Sequence, residues 1–182
     1  IVGIVRAGIV QLQPDAAGTV MFLPPKPVLR GEFLVWLGRV QEIPGGSATV
    51  PDAFYYDLEP SLRQKAIDAY ERRIIVVWPD GDKQIAFSPG TSIVPRDAEA
   101  WAARMIIGLL PAAIVQTTLG ITEAEALDLR TRISSLNSQE LTAIVQGFQL
   151  GPEGGWERQQ WITRSEAAEF LMKLKTVFDT HL

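Results

Sequence analysis

Proline and glycine cut the first 95 residues of this chain into short pieces. Pro14, Asp15 and Gly18 end the first apolar run, and Pro24-Pro25-Lys26-Pro27 ends the second. Further breaks fall at Ile43-Pro44-Gly45-Gly46, Pro51, Pro79-Asp80-Gly81-Asp82 and Ser88-Pro89-Gly90. Proline lacks an amide donor, so the 24–27 segment is an extended connector or an edge and not a central strand. Between the breaks the residues are apolar and often β-branched, which predicts strands. These are residues 1–13, Thr19–Leu23, Glu32–Glu42, Ser47–Val50, Ile74–Trp78, Lys83–Phe87 and Thr91–Val94. Residues 59–73 instead predict a helix, with Pro60 in its first turn and Leu62, Ala66, Ile67, Ala69 and Tyr70 at helical spacing.

The second half reads as helices. Arg96–Leu109 is one, and Ser138–Gly147 is another, stopped by its glycine. Thr122-Glu123-Ala124-Glu125 and Thr163-Arg164-Ser165-Glu166 have the form of capping boxes, in which hydroxyl and carboxylate satisfy each other's backbone amides. The second box opens a terminal helix with Ala167, Phe170, Leu171, Leu174, Val177 and Phe178 along one face. The expected fold class is therefore α+β. A small, mostly antiparallel β-rich half with one or two inserted helices spans residues 1–95, and an α-helical half spans 96–182.

Composition narrows the function. Of 182 residues, 47% are hydrophobic and 21% charged, which suits a globular chain and excludes a disordered one. The mean hydropathy of +0.10 is slightly apolar, which points to an interface with other subunits. A net charge of −4 argues against gripping nucleic-acid backbones, where affinity comes from Lys and Arg. Arg72-Arg73 and Lys173 with Lys175 read as solvated faces. There is no cysteine, and His181 is the only histidine, so thiolate sites, His triads and multi-His metal sites cannot be built within the chain. The apolar run Met105–Val115 is too short for a bilayer span of about 20 residues. Neither a cofactor nor a membrane is expected. The start at Ile1, without an initiator Met, is what proteolysis or a shortened sequence would give.

Several local signals have structural explanations. The opening Ile-Val-Gly resembles the new N-terminus of a chymotrypsin-like protease, but no Gly-Asp-Ser-Gly-Gly segment or internal histidine follows. Asp80-Gly81-Asp82 is a hairpin signal, lacking the distal Glu of a calcium loop. Gly151–Gly155 lacks the Gly-Lys-Ser/Thr ending of a phosphate loop. Tyr55-Tyr56 beside Asp57 and Glu59 could line a pocket with carboxylate acid and base, although acidic residues also gather at helix starts. Trp156, Arg158 and Trp161 flank the glycine loop and are residue types that dominate binding hot spots. Packing of both indoles against the body is the competing explanation. The candidate interaction residues are Trp156, Arg158 and Trp161, together with Phe54, Tyr55 and Tyr56.

Two stretches of the first half resemble each other. Val35-Trp36 is followed by Pro44-Gly45-Gly46-Ser47-Ala48-Thr49-Val50-Pro51, and Val77-Trp78 by Pro89-Gly90-Thr91-Ser92-Ile93-Val94-Pro95. Duplication and repeated use of one turn chemistry both explain this. The Pro-Gly-x-Ser-x-Val-Pro turn of Pro44–Pro51, with the helix and strand of residues 58–78 behind it, resembles a pattern of small tailed-bacteriophage virion proteins. That resemblance implies a head, neck or tail component that assembles with other subunits and has no catalytic residues. The leading expectation is a non-enzymatic structural or assembly protein. A peptide- or small-ligand-binding adaptor is the alternative, and a carboxylate-dependent hydrolase the third.

Overall fold

The computed structural model describes residues 2–12, 16, 18–19, 21–45, 55–76, 86–152, 156 and 160–182. Among them are eight α-helices. They are α1 (Val2–Arg6), α2 (Arg30–Val40), α3 (Pro60–Glu71), α4 (Pro95–Leu109), α5 (Ala112–Leu119), α6 (Glu123–Thr131), α7 (Ser138–Gly147) and α8 (Arg164–His181). Pro60 and Pro95 occupy first-turn positions, where a missing amide costs nothing. Thr122, Asn137 and Thr163 each accept from the amide three residues on, at 3.2, 3.0 and 3.3 Å, while Glu125, Glu140 and Glu166 bond back to the cap. Each such cap is worth about 1 kcal/mol.

The expected β-rich N-terminal half does not appear among the described residues. Among the described residues the only β pairing is two isolated bridges, Pro27 with Thr163 and Leu29 with Ser92. The predicted strands in residues 1–13 and 32–42 coincide with α1 and α2, and Ile74–Val76 and the described residues of 19–23 form no ladder. Ser47–Val50 and most of Lys83–Phe87 lie outside the described residues. The error has a physical source. In α2 the buried residues are Phe33, Leu34, Trp36, Leu37 and Val40, an apolar stripe of helical period. Aromatic and branched side chains there answer to burial from several sides, and burial overrides strand preference.

In place of a sheet the chain repeats one design three times. Phe22, Phe87 and Trp156 are each followed six residues later by Val28, Ile93 or Ile162, all 0% exposed. Four residues on stand Glu32, Asp97 and Glu166, and four further Trp36, Trp101 and Phe170. The first and last members of each set meet as aromatic pairs, with centroids 6.2, 5.9 and 5.4 Å apart. Three lead-ins thus enter α2, α4 and α8, the first two through turns closed by Lys26 N–H to Leu23 O (3.0 Å) and Thr91 N–H to Ser88 O (3.1 Å), and Val28, Ile93 and Ile162 join their backbones in a closed ring. Val28 N–H donates to Ile162 O at 3.0 Å, Ile162 N–H to Ile93 O at 3.2 Å, and Ile93 N–H to Val28 O at 3.0 Å.

The helices ahead of these lead-ins end alike. After α1, α3 and α7 the chain passes through a left-handed residue, Gly8 (φ 72°), Arg73 (φ 60°) or Gln149 (φ 54°). The next residue, Ile9, Ile74 or Leu150, is fully buried. Its amide donates five residues back, to Ile4 O (3.1 Å), Ala69 O (2.9 Å) or Val145 O (3.0 Å), the hydrogen bond of a Schellman cap. The three units also pack in a circle: α2 on α3, α4 on α7, and α8 on α1. Helices α5 and α6, with a 3-10 turn at Ile133–Ser135, are inserted between the second unit and the third. This repeat is distinct from that of the Pro-Gly turns: it pairs Trp36 with Trp101 and has three copies.

Candidate functional site

Among the described residues, arginines cover two of the repeat's three aromatic pairs. The Arg164 guanidinium lies 5.6 Å from the Phe22 ring and 5.5 Å from the Trp36 ring, and bonds Glu32 at 2.8 Å. The Arg30 guanidinium lies 5.3 Å from Phe87 and 5.2 Å from Trp101, bonds Asp97, and donates through Nε to Phe87 O at 3.1 Å. Both arginines open a helix and reach into the neighbouring unit, so each works as a clamp between units. Stacking on the rings contributes about 1 kcal/mol per clamp, since the pairs are partly exposed.

One cleft lies where α4, α7 and α8 converge, beside the third aromatic pair. It encloses 790 Å³ and is lined by Pro95, Arg96 and Glu99 from α4, Thr142, Val145 and Gln146 from α7, then Gln149, Gly151, Pro152, Trp156 and Lys173. Trp156 packs edge-on against Phe170, and its buried indole N–H has no hydrogen-bond partner among the described residues. Burial raises the pKa of Glu99, opposed by a hydrogen bond from the Thr142 hydroxyl at 3.5 Å. The Lys173 ammonium donates to Gly151 O and pairs with Glu169, both at 2.9 Å, which ties α8 to the cleft wall.

A second cleft, of 520 Å³, adjoins the first across Arg96, which lines both. Its walls carry Arg30, Arg96 and Arg104 against a single carboxylate, Asp97, and the hydroxyl and amide groups of Ser134, Ser135, Asn137 and Ser138. Arg104 is only 9% exposed and donates through Nε to Ile133 O at 3.2 Å. Burial lowers its pKa, and the nearby Asp97 carboxylate counters that shift. The clefts together hold four basic side chains, Arg30, Arg96, Arg104 and Lys173, and two acidic ones, Asp97 and Glu99. Of these, Arg30 is paired with Asp97 and Lys173 with Glu169, Arg104 is buried, and Arg96 is exposed.

Of the residues singled out in the sequence, Trp156 lies in the first cleft. Trp161 is 44% exposed and lines neither cleft. Arg158 and Phe54 lie outside the described residues. Tyr55 is buried in the core, edge-on to Phe87 at 5.4 Å, and burial pushes its phenol pKa well above the ordinary value. Tyr56 is exposed. Asp57 accepts from the amides of Phe87 (2.8 Å) and Ser88 (2.6 Å), a role that fastens a turn. Glu59 precedes α3 and accepts from the Ser61 hydroxyl at 3.1 Å. Arg30, Arg96 and Arg104 went unnoticed in the sequence. For Arg30 the signal was the spacing of a β-branched residue, an arginine and an acidic residue at Val28-Leu29-Arg30-Gly31-Glu32, which recurs with Arg164 at Ile162-Thr163-Arg164-Ser165-Glu166; Arg96 and Arg104 have no such mark.

Among the described residues no group of three acidic or histidine side chains is placed to hold a metal ion, and no helix is long and apolar enough to cross a membrane. Compared with known protein families and with curated proteins, the chain matches none.

Proposed function

We propose that the protein is a non-enzymatic attachment module whose two adjoining clefts hold an extended, hydroxyl-rich, acidic ligand, a sugar chain carrying carboxylate or phosphate groups. The observation that carries this reading is Arg96, shared by a cleft with an indole and planar amides and a cleft with three guanidiniums and a row of hydroxyls. Indole and amide groups suit hydroxylated rings, and guanidinium forks suit carboxylate and phosphate oxygens. Calorimetry with polygalacturonate as probe and neutral dextran as control tests it. Binding of the acidic polymer alone is expected, weakening as salt screens the exposed arginine. Arg96→Ala should reduce affinity about tenfold, the loss of one charge-assisted contact of roughly 1.4 kcal/mol. Equal binding of dextran, or indifference to Arg96→Ala, would count against it.

Assembly with other protein subunits, as in a virion, is the second reading. Leu29 and Val94 follow the ring residues Val28 and Ile93, Trp161 precedes Ile162, and all three side chains are exposed, at 37%, 38% and 44%. Sedimentation of the wild type and of a Leu29→Ser, Val94→Ser, Trp161→Ser variant decides the matter for self-assembly. A larger species that falls to monomer in the variant supports it, and a wild-type monomer at high concentration counts against it.

A further inference from the structure

The three units differ at one position that bears on the first cleft. In two of them the residue two places past the ring residue is arginine, Arg30 or Arg164, and its guanidinium covers the aromatic pair of the adjacent unit. The second unit has Pro95 there, and the pair it would cover is Trp156 with Phe170. Pro95 and Trp156 both line the 790 Å³ cleft. The two covering arginines also bond an acidic residue at the start of the covered unit's helix, Glu32 or Asp97, and so hold neighbouring units together. Proline has neither the length nor the donors to do this, and it places three ring carbons where five side-chain N–H donors stand elsewhere.

We propose that Pro95 is the residue that keeps this cleft open and so selects it as the ligand site. The inference rests on the ligand reading given above. It assigns the cleft to the space that a guanidinium occupies in the other units, and makes residue 95 a determinant of what enters. Arginine at that position reaches over the Trp156 ring and excludes a ligand. A small residue leaves the space free.

The test compares wild type, Pro95→Arg and Pro95→Ala, with Pro95→Gln as an intermediate in case the arginine variant does not fold. Two measurements are made on each: polygalacturonate affinity, and the indole N–H resonance of Trp156, assigned by its loss in Trp156→Phe. Pro95→Arg should lower affinity at least about tenfold and shift the Trp156 resonance, Pro95→Gln should do so by about threefold, and Pro95→Ala, which loses ring contacts but adds no covering group, should lower affinity less than Pro95→Gln and leave the Trp156 resonance in place. A folded Pro95→Arg or Pro95→Gln that binds as wild type overturns the inference. If the wild type itself binds no acidic polymer, the ligand reading fails. The resonance then decides the inference separately: a shift confined to Pro95→Arg and Pro95→Gln supports the covering of Trp156, and its absence overturns it.

Discussion

Replacing Trp101 by alanine is expected to lower stability by about 3–5 kcal/mol, a large share of the roughly 5–15 kcal/mol that holds a domain folded. Trp101 is 3% exposed and lies between units. Its ring meets Phe87 at 5.9 Å within its own unit and Phe33 of the first unit at 6.0 Å, and the Arg30 guanidinium sits over it. Phe33 also meets Phe170 of the third unit at 6.5 Å, so this cluster touches all three. Removal leaves a large cavity, strips the Arg30 clamp of a ring, and loosens the wall of the second cleft. Urea unfolding followed by circular dichroism measures the change, and a loss below about 1 kcal/mol would mean that the cluster is not a shared core. A melting temperature about 10 °C lower should accompany it.

The second large effect is expected at the hydrogen-bonded ring. Ile162→Ala should cost about 2–4 kcal/mol, because the side chain is fully buried where the three lead-ins meet. Ile93→Ala should cost a similar amount. The backbones of these residues are directly bonded, at 3.2 Å, so the two changes should not add. A double-mutant cycle is expected to show coupling of about 0.5–3 kcal/mol, whereas distant sites add within about 0.5 kcal/mol. Strict additivity would show that the ring does not act as one structural element.

Helices with local, chemically explicit signals were legible from the residues. Pro60, the boxes at Thr122 and Thr163, and Gly147 mark α3, α6, α8 and the end of α7 close to where they lie. What failed was the inference from β-branched and aromatic content to strands. Phe33, Trp36 and Val40 are buried because two other units close over α2, a fact that no window of the sequence contains. The repeat read in the sequence, Pro44–Pro51 against Pro89–Pro95, is a different one, and residues 46–51 of it lie outside the described residues. The markers of the threefold repeat are single residues, such as Val28, Ile93 and Ile162, whose common role is fixed by backbone bonds among three distant segments. The clefts were harder still. Trp156 stood out by type, but the partners that give it a setting, Arg96 and Glu99, come from a helix nearly sixty residues earlier.

The backbone ring has a bearing on how the chain acquires its shape. Each lead-in completes the hydrogen bonding of a different neighbour, so one unit cut away from the rest would carry bare amide and carbonyl groups in what should be its driest spot. Partial structures are therefore disfavoured. The chain should gain order in a single concerted step once all three segments have met, a search slowed by their wide separation along the polypeptide.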